Sequence, residues 1–129
     1  MSETAILCVD DEVSVLQVLK EQLKRLFGNR HAYEMAQNAE EAWEVIDELE
    51  QDGVSILIIV SDWLMPGVKG DEFLAQVHGR FPQITTVLLT GQADEEAIER
   101  ARQRANLYAC IQKPWTEEEL LSVVGGALT

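Results

Sequence analysis

Only ten of the 129 residues are lysine or arginine, against 23 aspartates and glutamates. The formal charge of −13 argues against the basic surface that nucleic acid or an anionic membrane requires, and favours a basic partner, a cation, or nothing more specific than solubility. Cysteine is scarcer still. Cys8 and Cys110 lie inside separate apolar runs without the spacing of a metal site. They read as small buried hydrophobes of a reducing compartment, not as a disulfide. No apolar stretch approaches the ~20 residues needed to cross a bilayer. The N-terminus MSETAILCVDDE has no basic region ahead of a long apolar core, which speaks against a secretory leader. Repeats, low-complexity tracts and linkers are missing too. The expectation is one cytoplasmic domain over residues 1–129, whose 47% hydrophobic and 26% charged residues suit a folded globular chain.

What is present is an alternation of apolar runs and helical patterns. AILCV (Ala5–Val9) reads as a strand, and Val15, Leu16, Leu19, Leu23, Leu26 and Phe27 then recur at helical spacing until Gly28-Asn29. His31–Ala36 suits an outer strand, and Asn38 caps a helix from Ala39 to about Glu50, with Gly53 past its end. ILIIV (Ile56–Val60) is a third strand, followed by a short helix over Asp71–Arg80 between Gly70 and Pro82. Thr85–Thr90 is the fourth strand, Asp94–Arg104 the fourth helix, Leu107–Gln112 the fifth strand and Glu117–Leu128 the last helix. Such alternation implies crossover connections, hence a doubly wound five-stranded parallel α/β sheet with five helices and strand order 2-1-3-4-5.

Ligands of open α/β sheets bind beyond the carboxyl ends of the strands, where the order reverses. Strand one ends in Asp10-Asp11-Glu12, strand three in Asp62, strand four in Thr90-Gly91 and strand five in Lys113-Pro114. Each has an ordinary explanation. An Asp pair before a helix caps it, a lone Asp starts a turn, a Thr favours a strand, and a Lys before Pro is a solvated turn residue. Four strand ends that together bring three carboxylates, a hydroxyl and an ammonium to one rim are not explained this way. Carboxylates so crowded disfavour their own ionisation, and a divalent cation with hard oxygen ligands, magnesium, relieves them. Magnesium beside an aspartate suggests attack of Asp62 on a phosphoryl group, with Thr90 donating to one phosphoryl oxygen, Lys113 pairing with another and Gly91 leaving room. His31 and His78 fall far from these strand ends.

DDE at 10–12, SDWLMPG at 61–67, LLTG at 88–91 and KPW at 113–115, in this order, resemble a response-regulator receiver domain of two-component phosphorelay signalling, a flavodoxin-like fold. The resemblance covers essentially the whole chain. It implies that Asp62 is phosphorylated by a histidine kinase or a histidine phosphotransfer protein. It also implies that Asp11 ligates magnesium directly and Asp10 through water, with Asp62 and the backbone carbonyl of Leu64 completing the set. Thr90 becomes the switch hydroxyl, Lys113 the phosphoryl contact, Trp63 a lining residue, and the Lys113-Pro114 bond cis.

Receivers commonly place Tyr or Phe three residues before the motif lysine, where this chain has Cys110, with Tyr108 two residues earlier. Coupling is therefore expected to run through Thr90 and the loop leading to the fourth helix. That helix carries Arg100, Arg102 and Arg104. They read either as helix electrostatics, with Glu96 four residues before Arg100, or as a docking patch through Arg100 and Arg104 for a downstream partner. Leu64 and Gln92 border the phosphoryl group in receivers, and an apolar Leu64 offers no hydrogen bond to orient water, so slow hydrolysis is expected. A rival reading, an aspartate-nucleophile phosphatase, needs a second carboxylate where this chain has Leu64. A passive, degenerate receiver would lack Asp62, Thr90 or Lys113. No effector domain is expected within this chain, whether it stands alone or was cut from a longer protein.

Overall fold

The computed structural model describes residues 3–91 and 95–129. Five strands form one parallel sheet in the order β2-β1-β3-β4-β5: β1 (Thr4–Val9), β2 (Ala32–Ala36), β3 (Ser55–Asp62), β4 (Thr85–Thr90) and β5 (Ala109–Gln112). The helices between and after them are α1 (Val13–Phe27), α2 (Ala39–Gln51), α3 (Gly70–Arg80), α4 (Glu95–Ala105) and α5 (Glu117–Leu128). The expected architecture and strand order are both found.

Alternation along each strand divides the core. Ala5, Leu7, Val9, Ile59 and Leu88 face α2 and α3, where they meet Ala42, Ile46, Phe73, Leu74 and Val77. Ile6, Cys8, Ile58, Val60, Val87, Leu89 and Ile111 face α1 and α5, against Leu16, Leu19, Leu23, Leu120 and Val124. Because β1, β3 and β4 are covered on both sides, they read as continuous apolar runs. Burying a side chain such as Phe73 outright contributes about 1.5–3 kcal/mol. The helix starts are fixed locally. Asn38 accepts a hydrogen bond from the Glu41 N–H (2.8 Å), and the Thr116 hydroxyl accepts from the Glu119 N–H (3.1 Å).

Two boundaries differ from the sequence expectation in ways that matter. β3 does not stop at Val60 but continues through Ser61 and Asp62, which pair with Leu88 and Leu89 of β4. The parallel ladder overrides the turn propensity of Asp, so the carboxylate stands on the last residue of a buried strand. β5 starts at Ala109, not Leu107, after Asn106 takes a left-handed conformation (φ 49°). The expected start of the fourth helix, Asp94, lies outside the described residues.

Gly70 opens α3, and its N–H donates to the Trp63 carbonyl (2.8 Å). A Cβ placed there would fall 1.9 Å from the Asp62 carbonyl oxygen, so the helix lies directly on the backbone that carries Asp62. Gly79, later in the same helix, has nothing within 4 Å of such a Cβ. Gly70→Ala is expected to destabilise the fold by about 1–3 kcal/mol through overpacking, and Gly79→Ala to stabilise it by about 0.5–1 kcal/mol. Urea unfolding of the two variants checks this; equal effects would contradict the backbone contact.

Candidate functional site

The carboxyl ends of four strands build the rim. β1 leads into Asp10, which is fully buried. Its N–H donates to the Ala36 carbonyl, and its Oδ1 accepts from the Glu12 N–H (2.8 Å), closing the turn into α1. Glu12 is the helix N-cap and makes no side-chain cap bond, so Asp10 does the local work of a cap and still has Oδ2 free for another partner. Asp11 is exposed. β3 presents Asp62, only 6% exposed, and β4 presents the buried Thr90. The Thr90 carbonyl accepts from the Lys113 N–H (2.8 Å), fixing β5's end beside β4's, and the Lys113-Pro114 peptide is cis.

These side chains converge. Lys113 Nζ donates to Asp10 Oδ2 at 2.8 Å and lies 3.3 Å from Asp62 Oδ1. Oxygens of Asp10, Asp11 and Asp62 all lie within 4.8 Å of one another. A cavity of about 360 Å³ opens above them, lined by Asp11, Glu12, Asp62, Trp63, Leu64, Thr90, Gly91 and Lys113. A larger hollow of about 470 Å³ at the opposite end of the sheet, bounded by Ile46, Ile56, Phe81 and Ile84, has Glu50 as its one charged residue. Size alone does not mark the chemistry.

Electrostatics follows from the crowding. Burial pushes the Asp62 pKa up from 3.8 to about 6, and the charges of Asp10 and, less strongly, Asp11 push the same way, while Lys113 pulls it down. Burial by itself would lower the Lys113 pKa, but its hydrogen bond and charge interactions with Asp10 and Asp62 outweigh it, and the net direction is up. One ammonium therefore serves a cluster of three carboxylates. Their oxygens, hard and negatively charged, fit a divalent cation of the magnesium type. The thiols take no part: burial raises Cys8 to about 12, and burial raises Cys110 as well.

Trp63 is fixed on several sides. Its backbone N–H donates to the Leu89 carbonyl, its indole Nε1 donates to Asp71 Oδ1 (3.2 Å), and Lys69 Nζ lies 5.4 Å from the ring centroid. From the sequence, Asp71, in the first turn of α3, reads only as the start of a short helix. It is 8% exposed and also pairs with Arg100 of α4 (3.7 Å). Ser61 was missed as well: it is fully buried and donates to the Asp62 carbonyl (3.1 Å). Neither signal was available in the sequence, because the partners come from other elements or from the backbone.

The aromatic question has a geometric answer. Tyr108 N–H bonds Thr86, four residues before Thr90 on β4, which puts it about 13 Å down the sheet. Its ring points toward α5, where a Cβ on Gly126 would fall 2.7 Å from its hydroxyl. Tyr108 therefore does not stand in for the aromatic that the family places at Cys110. Of the arginines on α4, Arg100 pairs with Asp71, not with Glu96, and Arg102 pairs with Glu99 (3.8 Å). The loop expected to carry coupling, with Gln92, lies outside the described residues.

A family model described as the response regulator receiver domain matches residues 6–125. The chain belongs to the response regulator receiver domain family. The receiver is 30% identical over 126 residues to the hydrogenase transcriptional regulatory protein HoxA of Cupriavidus necator, covering 98% of this chain and 24% of that protein. It is 28% identical over 127 residues to a chemotaxis protein CheY homolog of Campylobacter jejuni, covering 93% and 92%. Among solved structures it resembles the signal receiver domain of an HD domain-containing protein from Pseudomonas fluorescens Pf-5, at 27% identity and TM-score 0.86 over 99% of this chain and 95% of that one. The receiver thus spans about a quarter of the length of HoxA but nearly the whole of the CheY homolog. Receiver domains are signalling switches of two-component systems. Among the described residues no helix is long and apolar enough to cross a membrane.

With the Asp62 pKa raised, ionising Asp62 costs the folded state. The cost is absent below about pH 4 and present in full above about pH 6. In the presence of chelator, Asp62→Asn is expected to raise the melting temperature at pH 7.5 and to change it little at pH 4. Magnesium should then stabilise the wild type more than the variant. A variant that melts below the wild type at pH 7.5 would contradict this charge balance.

Proposed function

We propose that Asp62 accepts a phosphoryl group from a phosphohistidine of a sensor kinase or histidine phosphotransfer protein, and that the chain is a cytoplasmic switch read by a downstream protein or domain. One observation carries this: Asp62 clusters with Asp10 and Asp11 and shares the Lys113 ammonium with Asp10, beneath a single cavity with Thr90 on its wall.

The chemistry assigns each residue a task. An Asp62 carboxylate oxygen attacks phosphorus, the new O–P bond forms as the P–N bond to imidazole breaks, and the imidazole nitrogen keeps the electron pair. Asp10, Asp11, Asp62 and the Leu64 carbonyl would hold magnesium, which when bound neutralises phosphoryl oxygens. Lys113, already 3.3 Å from Asp62, pairs with one phosphoryl oxygen, and Thr90 donates its hydroxyl to another. Gly91 and Trp63 line the entry. No separate base is required, since the nucleophile is used as its anion. Autodephosphorylation reverses the charge change at the same rim. The chain acts as a self-modifying switch and not as a metabolic enzyme. Arg100 and Arg104 of α4 are offered as the downstream contact, with Arg104 the freer of the two because Arg100 already pairs with Asp71.

Incubation with magnesium and a small phosphodonor such as acetyl phosphate tests the assignment by intact mass. The wild type is expected to gain one phosphoryl adduct and Asp62→Asn none. An adduct of equal yield in Asp62→Asn would overturn it.

A further inference from the structure

α4 is held to the rest of the domain by little apolar area. Its buried residues are Ala97, Ala101 and Ala105, with Ile98 partly buried beside them. Methyl groups contribute far less than the Leu and Phe side chains that anchor α1 and α3. Polar ties consequently matter more for this helix. Two stand out. Thr86 of β4 donates its hydroxyl to the Ala105 carbonyl (3.0 Å), pinning the C-terminal end. Arg100, in the middle of the helix, reaches Asp71 on α3.

Asp71 is the one buried carboxylate outside the phosphoacceptor cluster among the described residues. Its two oxygens serve different elements. Oδ1 accepts from the indole of Trp63, the residue that directly follows Asp62, and Oδ2 faces the Arg100 guanidinium. A carboxylate is rigid and planar, so one oxygen cannot follow a moving partner without displacing the other. Trp63 itself lines the cavity above Asp62 and is tied by its backbone N–H to Leu89 of β4. A shift of the segment after Asp62 is thereby felt at Arg100.

We propose that Asp71 is a coupling residue: its carboxylate, shared between the Trp63 indole and Arg100, transmits displacement of the segment beside Asp62 to α4. The proposal rests on the reading of Asp62 as phosphoacceptor. It supplies a route to α4 in a receiver that has Cys110 where its family has an aromatic ring. The role is positional, since Asp71 touches neither the rim carboxylates nor Lys113.

The test is a mutant cycle on the full chain, with magnesium and beryllium fluoride as the probe and fluorine NMR as the readout of binding. Arg100 is half exposed and belongs to no part of the rim, so Arg100→Gln cuts the tie to Asp71 without altering any group that binds the probe. Arg100→Gln is expected to change the beryllium fluoride midpoint by roughly threefold or more in the wild-type background. In the Asp71→Asn and Trp63→Phe backgrounds the same substitution changes it by less than about 1.5-fold, because the link is already cut. The same factor in all three backgrounds, or no change in the wild type, overturns the coupling. Absence of bound fluoride in the wild type overturns instead the reading of Asp62, and the proposal with it.

Discussion

The Lys113 ammonium sits 2.8 Å from Asp10 and 3.3 Å from Asp62, and most of the molecule is arranged so that it must. A lysine at the end of β5 meets an aspartate at the end of β1 only if β3 and β4 lie between them in register. Parallel pairing covered on both faces provides that register. The arrangement is not comfortable. One ammonium cannot balance three carboxylates, and burial together with the neighbouring carboxylates leaves Asp62 with a pKa near 6. Stability is given up at the place where a bound cation would restore it, and under the proposed function a phosphoryl group at Asp62 would change that charge balance again.

Much of this was legible in the sequence. The apolar runs gave the five strands, and helical spacing gave α1 and α5 almost to the residue. The rim followed from asking what each strand carries at its carboxyl end, because a doubly wound sheet brings those ends together. The combination is what marks the rim; Asp62 alone would have read as a turn residue. What could not be read depends on three-dimensional contact. Gly70 looked like a helix boundary, yet it is the point where α3 rests on the Asp62 backbone. Asp71 looked like a helix-start acid, yet it is buried between Trp63 and Arg100. Tyr108 shares parity with Cys110, but β5 begins one residue after it and its ring turns toward α5.

The two helix layers are unequal in a way that suits a switch. α1 and α5 are bound by Leu16, Leu19, Leu23, Leu120 and Val124 and tied to each other by the Arg25–Glu117 ion pair, and Trp115, just before α5, donates to Gln22 of α1. α4 presents alanines to the core and depends on polar ties at Ala105 and Arg100. Elements with little buried apolar area are the ones that open or shift at low cost. The half of the domain that holds the charge cluster in register is therefore firm, and the helix expected to report on it is lightly held.

The claim on which everything else stands is that Asp62 is a carboxylate held ionised with difficulty and helped by Lys113. Carbon-13 NMR of the Asp62 side-chain carboxyl, titrated in chelator, measures it directly. The account predicts an apparent pKa near 6 in the wild type and a higher one in Lys113→Met. A value near the ordinary 3.8 that does not respond to loss of Lys113 would contradict it.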